Sequence, residues 1–385
     1  MKGRSFLLAG LVAILPAVGS LFAQGPIPVP RKAYFHLEGT VNKDQPISVE
    51  MVKAGDSVYC DYQYSGPLAG RGTAVTEPAV VPVFCGKMAG TGGSYVFHEP
   101  FASGGLKIRG TWSASGGFTG TWEDPGKEKS QYEWKEKYPV GTAQFNVAYI
   151  KESAPLVKKA DSPKATVEMV ILTPAESVNP ILSDTLKHLL IEKYTGKPYK
   201  GEDPQAALNE VKNVFIQNYR NNNEALYHQI PDAGSLNWEM LKFMHILHNR
   251  DYVLCFYILE YAFTGGAHGL ESTDFYVINL MTGKKLELSD LFREGSDSTL
   301  TVLLTGKVKQ AYCRNHEAKL TDAGFFTDEV KPCGNFFVTD NGIGFHYNQY
   351  DLAPHSFGAI EAFLDFSEIR GLLKPASEIP VKLGK

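Results

Sequence analysis

The sequence predicts an all-β N-terminal domain, an antiparallel meander or small barrel, followed by an α+β domain with an antiparallel sheet. Three observations carry that expectation. Before about residue 150 the chain breaks into short alternating runs divided by glycine, the two-residue period of half-buried strands. Helix-period patterning first appears after residue 175, and strand-like runs return beyond residue 237. With 385 residues, 43% hydrophobic and 21% charged, the chain has room for two domains and enough apolar residues for a core in each. That balance excludes intrinsic disorder and a scaffold held by disulfides alone.

The first residues read as an address. Lys2 and Arg4 precede an apolar run over residues 6–18, and Gly19, Ser20 and Ala23 suit signal peptidase, so residues 1–23 are expected to be a cleaved secretory signal. Pro16 interrupts a run already short for a bilayer, which takes ~20 apolar residues. No later membrane span is expected, and the mature chain is expected to be periplasmic or secreted. Losing Lys2 and Arg4 makes a chain of formal charge −4 more acidic still, which argues against a nucleic-acid partner, because binding phosphates takes clustered cations.

Residues 33–150 form the β-rich domain. Ile47, Val49 and Met51 alternate with polar neighbours, as do Val58, Cys60, Tyr62 and Tyr64, and residues 53–56 supply a turn between them. Gly-Thr-Trp occurs at 110–112 and again at 120–122, across a turn at 113–117. Glycine beside tryptophan permits close backbone approach, and Trp112 and Trp122 are expected to pack a small β core. The Gly-x-Trp pattern is similar to that of lipocalin-type barrels, which implies the alternative of a small-ligand cavity lined by both tryptophans. Residues 151–164, with charges and two prolines, read as an interdomain linker.

The second domain spans residues 165–374. Val167, Met169, Ile171 and Leu172 make a strand ending at Pro174. Asn179-Pro180 and Asp203-Pro204 are cap-and-first-turn signals, each followed by apolar residues at helical spacing: Leu182, Leu186, Leu189 and Leu190, then Leu208, Val211, Phe215 and Tyr219. Strand-like runs follow at 238–247, 252–263 and 272–279, divided by a turn at 248–251 and a glycine loop. Leu300, Leu304, Val308 and Tyr312 mark another helix. Short strands are expected at 336–339, 344–349 and 362–365, with a terminal helix from Ser367.

Five cysteines remain after the signal, and an oxidising compartment favours pairing. Proximity suggests Cys60 with Cys85 and Cys313 with Cys333, although connectivity does not follow from sequence alone. Cys255, inside an apolar run, is expected to be a buried small hydrophobe.

Several segments of the second domain occur together in one order: YAFTGGAHG at 261–269, VINLMTGKKLELSDLF at 277–292, and FVTDNGIGFHYNQYDLAPHSFG at 337–358. Ile360-Glu361 and Phe366-Ser367-Glu368-Ile369 complete the set. Together they resemble the extracellular domain of unknown function at the C-terminus of RsiV-type anti-sigma factors and PdaC-type peptidoglycan deacetylases. Residues 167–219 resemble the companion segment that often precedes it. The resemblance implies an extracytoplasmic recognition module, since the deacetylase chemistry of that family belongs to a separate domain and its anti-sigma members bind lysozyme through this one.

The loop at 261–272, YAFTGGAHGLES, is the first place to look for a site, because Gly265 and Gly266 permit positive φ around His268. The second is 345–355, where Tyr347, Gln349, Tyr350 and His355 mix aromatic and amide groups as binding surfaces do. His268 has the titration range of a general base, but no serine or cysteine nucleophile motif accompanies it. His245 and His248, three apart in a strand, are expected to face opposite ways, so no metal is assigned. No glycine-rich phosphate loop leads into a helix, so no cofactor is expected. The resulting expectation is a non-enzymatic module binding a protein, lysozyme-like or other, or a cell-wall glycan. The alternatives are a small-ligand barrel and a hydrolase centred on His268.

Overall fold

The structure is a computed structural model that describes residues 32–41, 45–55, 57–64, 83–88, 94–98, 107–113, 116–123, 128–175, 180–199, 201, 203–230, 234–313 and 316–375. The expected signal at 1–23 lies outside them. Eight antiparallel strands close into a barrel: β1 (Lys32–Val41), β2 (Gln45–Ala54), β3 (Ser57–Tyr64), β4 (Val83–Met88), β5 (Ser94–His98), β6 (Lys107–Ser113), β7 (Gly117–Glu123) and β8 (Ser130–Glu136). The Gly-Thr-Trp repeat has a steric cause: Gly110 and Gly120 face each other across β6 and β7, and a Cβ at Gly110 would sit 2.0 Å from the Tyr132 hydroxyl. Trp112 packs 4.4 Å from Phe35, Trp122 lies edge-on to Tyr62 at 5.8 Å, and Tyr132 stacks on Trp134 at 4.1 Å. Trp112 and Trp122 belong to the buried core of the barrel.

The remainder is an α+β unit. β9 (Phe145–Pro155) and β10 (Lys164–Pro174) form an antiparallel hairpin, and β11 (Trp238–Arg250), β12 (Val253–Phe263) and β13 (Leu270–Asn279) complete a sheet of order β13-β12-β11-β10-β9. The sheet is mixed, unlike the all-antiparallel expectation, because β10 and β11 run parallel. The helices between them, α1 (Pro180–Thr195) and α2 (Pro204–Tyr227), carry the chain across one face of the sheet and return it in the same direction. Leu186, Leu190 and Tyr194 of α1, with Leu208, Phe215 and Tyr219 of α2, bury that face.

The segment expected as a linker is part of this sheet. Residues 151–155 belong to β9, in register from Lys151↔Glu168 to Pro155↔Lys164, and the rest is the connecting turn. Its prolines do not break a strand, since Pro155 closes β9 and Pro163 precedes β10.

The opposite face is covered by α3 (Leu288–Leu291), α4 (Asp297–Tyr312), a three-stranded antiparallel sheet of β14 (Phe336–Val338), β15 (Gly342–Tyr347) and β16 (Ile360–Asp365), and α5 (Phe366–Ile369). Cys255 is buried there, and burial pushes its thiol up to about 12. No disulfide is seen among the described residues. β3 and β4 pair Cys60 with Phe84 and Cys85 with Tyr59, one step out of register, and the Cys85 side chain lies outside the described residues. Cys313 and Cys333 are free thiols; the Cys333 thiol lies 3.4 Å from the Asn335 and His346 carbonyls.

The barrel docks on the sheet through β2 and β3 against β11. β2 is buried on both faces: Ile47, Val49 and Met51 point into the barrel, while Ser48, Glu50, Val52 and Ala54 are buried outside it. Its polar positions, which alternation alone would assign to solvent, meet polar partners. Glu50 accepts from the Tyr34 hydroxyl at 2.5 Å and contacts His36 Nδ1 at 2.7 Å. Asp61 accepts from the Tyr257 hydroxyl at 2.7 Å and contacts His245 Nδ1 at 3.0 Å. Asn249 donates to the Tyr34 hydroxyl and the Ala143 carbonyl, each at 2.7 Å, and accepts from the Ala143 amide at 2.8 Å.

A bulge at Leu247 corrects the expectation for His245 and His248. The pairs Ile246↔Phe256 and His248↔Cys255 leave Leu247 unmatched, so both histidines face the same side. His248 approaches Asp340 at 3.7 Å, and Arg250 bridges Asp340 at 2.8 Å and Glu38 at 3.5 Å. The seam thus ties the barrel, the sheet and the β14–β15 turn together.

Candidate functional site

The glycine loop joins β12 to β13. Gly265 and Gly266 have φ of 90° and 97°, values that L side chains rarely adopt. Gly269 is required for a different reason: a Cβ there would lie 2.4 Å from the Tyr261 ring. So held, the loop projects His268 into solvent, with Nδ1 donating to the Gly269 carbonyl at 3.0 Å. The ring stacks on His355 at a centroid distance of 3.8 Å and 25°. His355 opens the turn His355–Phe357, and the Tyr350 ring is 5.8 Å away. Tyr350 has φ of 72°, a strained value for an aromatic residue.

Side-chain amides hold this second loop to the free edge of β13. Asn335 accepts from the Phe275 amide at 2.7 Å and donates to the Thr273 carbonyl at 2.8 Å. Asn348 accepts from the Thr273 amide at 2.7 Å, and Gln349 accepts from the Glu271 amide at 3.4 Å. The amides supply partners that a further strand would give, blunting an edge that otherwise templates association. Beneath them the buried His346 ring places Nδ1 2.8 Å from Glu361 and Nε2 3.2 Å from Asn348 Oδ1. Burial pushes the carboxyls of Glu271 and Asp274 up, with His346 pulling both the other way.

The structure therefore brings His268, His355 and Tyr350 together, with Gly265 and Gly266 shaping their support. It assigns Gln349 to the strand edge. Tyr347 is core: it is buried, its hydroxyl donates to the Lys331 carbonyl at 2.6 Å, and burial raises its phenol. Of the exposed apolar residues on these loops, sequence reasoning found Tyr350 and missed Leu270 and Phe326. Leu270, Phe326 and Tyr350 are 53%, 57% and 49% exposed, and the Phe326 amide donates to the Leu352 carbonyl within the same loop. Exposed apolar residues gathered around polar ones mark interaction surfaces. Lone residues such as Phe326 give no periodic signal by which to find them.

Among the described residues no carboxylate, serine or cysteine bonds either stacked ring, and no group of three or more His, Cys, Asp or Glu could hold a metal ion. No helix of the described residues is long and apolar enough to cross a membrane.

These features define a class: a β-barrel fused to an α+β unit whose final lobe packs its loops against the edge of the sheet. That lobe is a DUF3298 domain, since the family described as a protein of unknown function matches residues 289–367. The domain supplies Tyr350, His355 and the capping amides, whereas His268 comes from the sheet before it. A solved member of the DUF3298 family from Bacteroides fragilis NCTC 9343 is 26% identical, with a TM-score of 0.56, over 62% of this chain and 96% of that one. A DUF3298 family protein from Pseudomonas aeruginosa PAO1 is 16% identical, with a TM-score of 0.43, over 63% and 98% of the two chains. No curated protein matches the chain.

Proposed function

We propose that this chain is a secreted or periplasmic recognition module, without catalysis of its own, that holds a protein or a cell-wall glycan on the face around His268 and His355. The carrying observation is the stack of His268 on His355, which joins two loops distant in sequence into one exposed surface rimmed by Leu270, Phe326 and Tyr350. The resemblance of the second unit to the extracellular domain of RsiV-type anti-sigma factors and PdaC-type deacetylases supports a binding role over chemistry. So does the apolar run near the N-terminus, which reads as an export signal.

The test is a pull-down by the immobilised mature protein, offered muramidases and soluble peptidoglycan fragments in parallel. Retention of one class, lost on Tyr350→Ala or His355→Ala, is the expected result. A folded protein that retains neither overturns the reading. Turnover of any retained ligand that disappears with His268→Ala overturns the non-enzymatic part.

A further inference from the structure

A cleft of about 350 Å³ opens on the other side of the glycine loop, where β10 and β11 begin and β12 ends. Parallel pairing of Ala165 with Trp238 sets the two strand starts side by side, and Glu239↔Phe263 brings in the end of β12. Lys164, Asn237, Trp238, Glu239, Tyr261 and Phe263 line it. The loop lies close by: the Cβ position at Gly265 is 3.2 Å from the Ser235 carbonyl and 3.8 Å from Trp238 Nε1.

The charges in this cleft are unlike those around it. Further along the same strands Glu168 pairs with Lys151 at 2.6 Å, and Lys242 pairs with Glu260 at 2.5 Å. Lys164 and Glu239 line one cleft, yet among the described residues neither forms an ion pair, with the other or with anything else. The Trp238 indole N–H likewise has no acceptor among them. A carboxylate acceptor, two donors and an amide therefore stand around the half-buried rings of Tyr261 and Phe263.

We infer that this cleft seats one or two pyranose rings of a glycan chain. A pyranose has an apolar C–H face that lies against aromatic rings, and vicinal hydroxyls that both donate and accept, which suits an unpaired carboxylate beside an ammonium and an amide. The volume falls at the small end of the ~300–1,000 Å³ usual for ligand sites. The inference rests on the glycan branch of the function proposed above and gives it a second seat, separated from the His268–His355 face by the glycine loop.

The mature protein carries its own reporter. Trp238 lines the cleft whereas Trp112, Trp122 and Trp134 belong to the barrel core, so a sugar-dependent change in tryptophan emission is expected to vanish in Trp238→Phe. Titration with N,N′-diacetylchitobiose and with cellobiose is expected to give a saturable change with at least one of them. Glu239→Gln and Phe263→Ala, both at the cleft surface, are expected to weaken it about tenfold or more, the loss typical of a charged hydrogen bond. Val302→Ala, at an exposed position of α4 outside both sites, leaves it unchanged. No saturable change with either sugar, or binding that is indifferent to both cleft substitutions, overturns the inference. Muramidase retention on the loop face with no sugar response at Trp238 overturns it while leaving the recognition reading intact.

Discussion

The seam between barrel and sheet and the loop face around His268 use the same side chains, histidine, carboxylate, amide and tyrosine, to opposite ends. At the seam Glu50, Asp61 and Asn249 are each 3% exposed or less and each has at least two partners. On the loop face His268 is exposed, its ring has one hydrogen bond to the neighbouring Gly269 carbonyl, and its flat side rests on another histidine. Buried polar groups must be paired or they cost stability, and these three find their partners within the seam. The comparison teaches that a histidine's residue type says little about its role, and that spare bonding capacity at the surface says more.

The contrast can be broken first at Asp61. Asp61→Ala leaves the Tyr257 hydroxyl and His245 ring buried without their acceptor and is expected to cost about 3–5 kcal/mol in urea unfolding. A loss under about 1 kcal/mol would mean that the seam is wet and its groups are not held as described.

The next largest effect is with pH. Burial, joined by Arg250 and opposed by Asp340, holds His248 down at about 4 against an ordinary 6.5. Between those values the unfolded chain binds more protons, so this contribution is present above pH 6.5 and is lost as pH falls toward 4. His36 works the other way: burial disfavours its charge, but Glu50 and Glu38 outweigh burial and raise it, so its contribution is lost as pH rises through its folded value. Urea midpoints measured from pH 4 to 8 are expected to peak near neutrality, and His248→Gln to flatten the acid side.

Asn335→Ala sharpens the comparison at the strand edge. It removes the acceptor of the Phe275 amide and the shorter of two donors to the Thr273 carbonyl, to which Asn348 still donates at 3.3 Å, at an expected cost of about 2 kcal/mol. Hydrogen exchange at Phe275 should accelerate well before global unfolding, and unchanged protection there would refute the edge-capping role. The smallest stability effect belongs to His355→Ala, expected below about 1.5 kcal/mol for a lost ring pair. It nevertheless abolishes retention on the loop face, so a large drop in melting temperature with retention preserved would reverse the two regions' roles.

Local features were legible in the sequence. Alternation marked the barrel hairpins, Asn179-Pro180 and Asp203-Pro204 marked α1 and α2, and the glycines around His268 marked a tight corner that the structure places between β12 and β13. What escaped depends on where distant segments meet. Residues 151–155 look like a linker until β10 pairs with them, and His245 and His248 look opposed until one unmatched residue turns the strand. Glu50 and Asp61 have the pattern of solvent-facing residues because nothing local announces that a sheet covers them. The site was half visible: His268, Tyr350 and His355 converge, whereas Tyr347 and Gln349 serve the core and the strand edge.

One strand has a consequence for how the molecule comes apart. Because β2 is sandwiched between the barrel interior and the sheet, the barrel owns only one of its two dry surfaces there. Severing the chain near residue 150 would leave Glu50 and Val52 facing water on one fragment and divide β9 between the two. The halves should therefore melt in a single calorimetric transition, and neither should behave as a portable module that evolution or an experimenter can shuffle intact.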